Sequence, residues 1–182
     1  MVSEEKLLQI MPDLKRSLCE QYFPFLKQAM DEFEINSPLR EAAFLAQIAH
    51  ESGQFRFLQE IWGPTEAQKH YEPPSKKAVE LGNTQPGDGK RFKGRGAIQL
   101  TGRANYLKYG KILNLDLVNH PESAAEPEVA FRISAAFWHS NGLNELADKQ
   151  QFERITRSIN GGSTGQSERL KFYNRAKLLC GA

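Results

Sequence analysis

Cysteine is scarce in this chain. Cys19 and Cys180 are the only two, and they stand near opposite ends. Two are too few for a disulfide framework and suit a reducing compartment, although one bridge between them stays open. Long hydrophobic runs are missing too: nothing approaches the roughly 20 apolar residues of a membrane span, so no stable membrane association is expected. Charge of one sign is also lacking, because 24 Lys and Arg against 22 Asp and Glu leave a formal +2. That balance makes no case for nucleic acid as a partner, while a slight positive bias favours an anionic polymer. No run of alternating β-branched residues is long enough for a convincing sheet. Met1-Val2-Ser3-Glu4-Glu5-Lys6 carries acids where a signal peptide would carry basic residues, so export by a classical route is not expected.

What is present is ordinary for a soluble globular domain: 40% hydrophobic and 25% charged residues over 182 positions. That length supports one sizeable core, with room for two lobes, so a single domain over residues 1–182 is expected. Helical periodicity dominates, and the class reads as mainly α. Residues 3–35 carry Leu7, Ile10, Met11, Leu14, Leu18, Tyr22, Leu26 and Met30 at helical spacing, with Pro12 and Pro24 breaking the run. Residues 125–138 and 167–179 read as further helices, and Asn160-Gly161-Gly162-Ser163 as a sharp break.

The stretch from Phe44 to Glu60 organises the rest. Ser37 before Pro38 reads as an N-cap with proline in the first turn. Ala42, Ala43, Phe44, Leu45, Ala46, Ile48 and Ala49 leave almost no polar face, which marks a buried helix. Gly53 is a plausible left-handed stop. Glu51 then falls in the last turn, where the helix dipole disfavours another negative charge. Phe55 and Phe57 are expected to desolvate it, and both effects favour the protonated carboxyl of a general acid. His50-Glu51 opens like a zinc-protease helix, but the second histidine would fall at position 54, which is Gln54. No metal site is therefore expected.

Between Glu72 and Gly96, prolines and glycines interrupt regular structure, and a long loop that is mobile or covers one cleft wall is expected. Lys90, Arg91, Lys93 and Arg95 invite a phosphate reading, but the segment lacks the Gly-Lys-Ser/Thr ending of a P-loop. Thr101 reads as the cap of a helix through Tyr106 and Tyr109.

Four pieces stand out together: His50-Glu51-Ser52-Gly53; Gly82-Asn83-Thr84-Gln85-Pro86-Gly87-Asp88-Gly89; Gly94-Arg95-Gly96-Ala97-Ile98-Gln99-Leu100-Thr101-Gly102-Arg103; and Ile159-Asn160-Gly161-Gly162. In that order they resemble the family 19 glycoside hydrolases, chitinases of plants and bacteria, and most of all the lysozyme-like endolysins of phages and prophages. The resemblance runs from about Ser37 to Tyr173. It implies a helical, two-lobed, chitinase-like or lysozyme-like fold with a glycan cleft between the lobes. It also implies hydrolysis of β-1,4 links to N-acetylated amino sugars with inversion, without metal or organic cofactor. An inverting enzyme needs an acid at the leaving oxygen and a carboxylate activating water across the ring.

On this likeness Glu51 matches the general acid, and Glu60, nine residues on, is the first choice for the base, with Glu66 and Glu72 as alternatives. Gln99 and Thr101 match a polar pair that could hold the water and an acetamido group, since an amide and a hydroxyl do not compete as bases. Asn105 and Asn160 match sugar-binding asparagines, and Arg169 matches a cleft arginine. Trp62 and Tyr71 offer aromatic faces for sugar rings or for core packing. The resulting expectation is an endolysin acting on peptidoglycan glycan strands, with a chitinase, a non-catalytic glycan-binding module or a secreted antibacterial effector as alternatives. Such an enzyme is expected to be a monomer in the bacterial cytoplasm. It would be released to the wall at lysis through a membrane lesion made by a holin, with no direct contact between the two.

Overall fold

The computed structural model describes residues 1–182, and helices carry all of its regular structure apart from isolated bridges. Helix α1 (Glu4–Ile10) starts at Ser3, whose hydroxyl accepts the Lys6 N–H. Helix α2 (Arg16–Glu32) follows a break at Pro12, as expected, but runs through Pro24 without stopping. Pro24 is exposed, so the carbonyl left without its N–H partner can turn to water.

Helix α3 (Pro38–Glu51) begins at the Ser37 cap with proline in its first turn and ends at Glu51. Every residue from Glu41 to Ala49 is buried. Two of these are polar and both are partnered: Glu41 accepts the Val2 N–H at 2.9 Å, and the Gln47 amide donates to Thr156 at 2.9 Å. A buried polar group without such a partner would cost about 1–3 kcal/mol.

Three short helices follow, α4 (Glu66–Lys69), α5 (Lys76–Leu81) and α6 (Asp88–Arg91), the last two inside the proline- and glycine-rich stretch. The stretch expected as a long loop is thus partly helical and well anchored. Asp88 is 2% exposed and pairs with Arg103 through two bonds of 2.6 and 2.8 Å. Burial opposes ionisation of Asp88, but Arg103 and the Thr84 and Gln85 N–H groups outweigh it and hold its carboxyl below the ordinary value. Asn83 ties the Tyr71 carbonyl to the Arg103 N–H, and Phe92 is fully buried.

The remaining elements are α7 (Arg103–Leu113), a 3-10 turn at Pro121–Ala125, α8 (Pro127–Ser140), α9 (Leu143–Asp148), α10 (Phe152–Asn160) and α11 (Gln166–Cys180). Thr101 does not cap α7. Gly102 holds that position at a φ of 94°, and the Thr101 hydroxyl donates to the Gln99 carbonyl instead.

Two apolar clusters result. The larger gathers α1, α2, α3, α10 and α11 around Phe44 and Trp138, whose rings meet edge-on at 5.3 Å. The smaller surrounds Phe92, Tyr106 and Tyr109. Helix α8 belongs to both: Phe131, Ala135 and Trp138 face the larger cluster, Ile133 and Ala136 the smaller. A helix with two apolar faces is what holds two lobes in fixed relation. Cys19 and Cys180 are both buried free thiols, pushed up to about 11 by burial.

Candidate active site

Glu51 is the last residue of α3, and its side chain leaves the helix towards the N-terminal turn of α11. There it meets Arg169, which is 1% exposed. The guanidinium pairs with Glu51 Oε1 from 118 residues away, donates to Gln47 Oε1 at 2.5 Å and to the Thr164 carbonyl at 3.2 Å. A planar fork with five N–H donors can satisfy three acceptors at once, which a lysine could not do in this geometry. Next to it His50 pairs with Glu168, so two adjacent residues of α3 grip two adjacent residues of α11. Glu51 Oε2 accepts no hydrogen bond from the protein.

The apolar enclosure expected for Glu51 is therefore replaced by an ion pair. Phe55 is 1% exposed but is spent on the core, edge-on to Phe131, while Phe57 points outward at 45% exposure. The cause lies in the backbone. Gly53, Gln54 and Phe55 all lie at positive φ, 57°, 58° and 66°, so the chain makes a left-handed turn directly after the helix. Such conformations cost about 1–2 kcal/mol for each residue with a side chain. Three contacts offset this: Ser52 Oγ accepts the Phe55 N–H, Gln54 bonds Asp13 twice at 2.8 Å, and the Phe55 ring is buried.

The turn delivers the chain to Glu60, whose surroundings are quite different. One of its oxygens accepts the Gly94 N–H at 2.9 Å and the other the Gln68 amide at 2.9 Å. Its own N–H donates to the Gly94 carbonyl at 2.8 Å, clamping it against the Gly94-Arg95-Gly96 strip. Gly94 permits this approach, since a Cβ there would lie 2.6 Å from Gln99 Oε1 and 3.3 Å from Glu60 Oε2. Gln99 and Glu60 thus face each other across one glycine. Gln68 is fully engaged: its oxygen accepts the Gly63 and Thr65 N–H groups, its nitrogen donates to Glu60 and the Ile61 carbonyl. Behind the strip, Arg95 is 7% exposed and bonds Gln59, the Arg91 carbonyl and Tyr106.

Gln99, Thr101 and Asn105 share a cavity of about 190 Å³ with Tyr109 and Ile159. Ile159 precedes Asn160, the exposed last residue of α10, which does not itself line the cavity. Asn105 donates to the Thr101 carbonyl at 2.8 Å. Trp62 and Tyr71 are half-buried with centroids 6.2 Å apart, and burial together with the Glu60 charge holds the Tyr71 phenol above its ordinary value. A larger cavity, about 600 Å³, opens between α7 and residues 114–119. Neither cavity is lined by Glu51 or Glu60; the smaller one is the one that collects Gln99, Thr101 and Asn105.

The two alternative carboxylates are engaged elsewhere. Glu66 is exposed and pairs with Lys69. Glu72 accepts the Gly87 and Lys90 N–H groups at the start of α6, a structural use. Sequence reasoning missed Gln47, Thr156, Gln68 and Arg95. Gln47 had a signal, as the one amide in an apolar helix.

Residues 22–151 match the family described as chitinase class I, Glyco_hydro_19. The chain belongs to glycoside hydrolase family 19. A Haemophilus influenzae protein described as a glycosyl hydrolase family 19 domain-containing protein is 30% identical over 196 residues, covering 95% of this chain and 94% of that one. An Arabidopsis thaliana endochitinase, At2g43620, is 39% identical over 145 residues, which span 78% of this chain but 46% of the plant protein. The family fold is recovered in full. The chitinase C structure from Streptomyces griseus covers 100% of this chain and 77% of that one with a TM-score of 0.78 at 24% identity. A second solved bacterial family 19 chitinase covers 100% and 95%, with the same TM-score at 26% identity. Glu51, Glu60, Gln99, Thr101 and Asn105 fall inside the family match, whereas Asn160 and Arg169 lie beyond it; of these two, Arg169 is paired with Glu51.

Proposed function

We propose that this family 19 chain hydrolyses the β-1,4 glycan backbone of bacterial peptidoglycan with inversion, as a muramidase in the service of host-cell lysis. The observation that carries the reading is the contrast between two carboxylates. Glu51 has one oxygen held by Arg169 and the other free of protein partners. The free oxygen is the one that would carry the proton to the glycosidic oxygen, taken up against the pull of the guanidinium. Glu60 accepts a hydrogen bond at each oxygen and keeps a second lone pair on each for a water. In the reaction Glu51 protonates the leaving oxygen as the C1–O bond breaks. Water attacks C1 from the opposite face and gives its proton to Glu60. In this reading Gln99, which like Glu60 lies against Gly94, steadies that water, and Thr101, Asn105 and Asn160 bind N-acetyl sugars. Working from the cytoplasm, the enzyme would reach the wall through a separately made membrane lesion, with a holin as functional partner.

The mild positive charge suits an anionic polymer. A chitinase is the second reading, supported by the names of the plant relatives and of the solved structures. Purified protein offered purified sacculi and N-acetylglucosamine oligomers separates the two. Release of glycan fragments with muramic reducing ends, first formed as the α-anomer by NMR, is expected. Turnover of the chitin oligomers alone would move the assignment to chitinase, and an initial β-product would overturn inversion.

A further inference from the structure

Beside the strip that grips Glu60, two arginines are already used. Arg91 donates to the Val118 carbonyl, and Arg95 is buried against Gln59 and Tyr106. Lys93 lies between them. Its carbonyl accepts the Tyr106 hydroxyl at 2.6 Å, which fixes its backbone, and the next residue is Gly94, which holds Glu60. The Lys93 ammonium nevertheless makes no ion pair or hydrogen bond, although the side chain is half-buried. Exposed lysines ordinarily extend into water. Lys93 is a half-buried one with no partner, next in sequence to the glycine whose N–H holds Glu60, and so is free to receive an anion.

We propose that Lys93 is a specificity-determining residue that receives a substrate carboxylate on the sugar bound beside Glu60. This rests on the muramidase reading above. Chitin carries no carboxylate, whereas the wall glycan carries them on the 3-O substituent of alternate sugars. The source is the lactyl group on denuded strands, or the stem peptide where it remains. Burial, with Arg95 beside it, holds the Lys93 ammonium below the ordinary lysine value, while Glu60 acts the other way. The amine therefore lies within the field of the base, where a second anion would relieve the repulsion between Lys93 and Arg95. A charge-assisted contact from this half-buried ammonium discriminates against a neutral sugar.

The test compares wild type, Lys93→Met and Lys93→Arg on amidase-treated glycan strands, on peptide-bearing strands, and on both after carbodiimide amidation of their carboxyls. Melting curves confirm folding. Lys93→Met should lower the ratio of kcat/KM on native to amidated strands about tenfold, equivalent to about 1.4 kcal/mol, with the loss mainly in KM. Lys93→Arg should keep the ratio. A fall confined to denuded strands assigns the lactyl carboxylate, and one confined to peptide-bearing strands assigns the stem peptide. Equal losses on native and amidated strands would show that Lys93 serves Glu60 or the fold, and would overturn the proposal, as would no loss at all. Wild type that ignores every wall glycan yet cleaves chitin oligomers would overturn the muramidase reading and this one together. Wild type active on the wall with an unchanged ratio in Lys93→Met would overturn this one alone.

Discussion

The two carboxylates are mounted in opposite ways. Glu51 ends a helix buried from Glu41 to Ala49 and is met by a cation from far along the chain. Glu60 sits on an irregular segment and is met by a peptide N–H and a neutral amide. The first mounting is Coulombic and built into the larger core; the second is dipolar and built from turns. A cation that stays buried fixes its partner strongly and makes the partner part of the fold. Peptide dipoles orient a carboxylate while leaving the fold nearly indifferent to it.

The contrast predicts that function and stability separate differently at the two sites. Glu51→Gln should lower hydrolysis by about 10²–10⁴-fold, the usual contribution of a positioned acid. It should also lower Tm, because Arg169 keeps only a neutral acceptor there. Glu60→Ala should lose activity on a comparable scale with little change in Tm, and azide should restore turnover if the residue only activates water. Assays paired with calorimetry check both. Full activity in Glu60→Ala would move the base elsewhere, and equal stability losses at both sites would erase the contrast.

Arg169→Met probes the Coulombic mounting from its other side. Removing one partner of a buried pair costs about 3–5 kcal/mol, here towards the lower figure because the Glu51 side chain is 18% exposed. The expected result in urea unfolding is a lower midpoint with unchanged slope. Arg169→Lys should recover only part of it, since one ammonium cannot serve Gln47, Glu51 and Thr164 together.

How much of this was written in the sequence follows from the same division. Helices α3 and α8 were legible because nearly every position is apolar, and Ser37-Pro38 marks where α3 starts. The place of Glu51 at the end of that helix was legible too. Its pairing with Arg169 joins positions 118 apart, and no local pattern records such a contact. The outward turn of Phe57 was hidden for another reason. The left-handed backbone at Gln54 and Phe55 is imposed by Asp13, Ser52 and the core, and propensity alone argues against it. Glu60's partners were harder still, because a peptide N–H at Gly94 has no side chain to notice. Pro24 inside α2 misled because a proline on an exposed helix face is tolerated where a buried one is not.

Gln68 tests the dipolar mounting. Gln68→Ala removes one of the two bonds that orient Glu60, and hydrogen bonds to charged groups are worth about 1.5–3 kcal/mol. Because Gly94 still holds the other oxygen, kcat should fall about tenfold, near the lower end of that range, with KM little changed. A KM effect alone would instead place Gln68 in substrate binding.

The smallest effect expected lies one step further out. Thr65 and Gln68 form a capping box at the start of α4: the Thr65 hydroxyl accepts the Gln68 N–H, and the Gln68 amide accepts the Thr65 N–H. The cap therefore does two things at once, starting a four-residue helix and aiming the amide that reaches Glu60. Thr65→Ala deletes the hydroxyl but leaves the Thr65 N–H, so Gln68 keeps that bond. Loss of an N-cap costs about 1 kcal/mol, and most of it should be spent on local fraying of α4 rather than on global stability, because the helix is so short. Hydrogen exchange at Gln68 and Lys69 should accelerate about fivefold, as that energy implies. The rate of hydrolysis should drop less than in Gln68→Ala. Thr65→Ser, which keeps the hydroxyl, should leave both near wild type. If Thr65→Ala cost as much activity as Gln68→Ala, Glu60 would be held by the integrity of α4 as a whole and not by one amide.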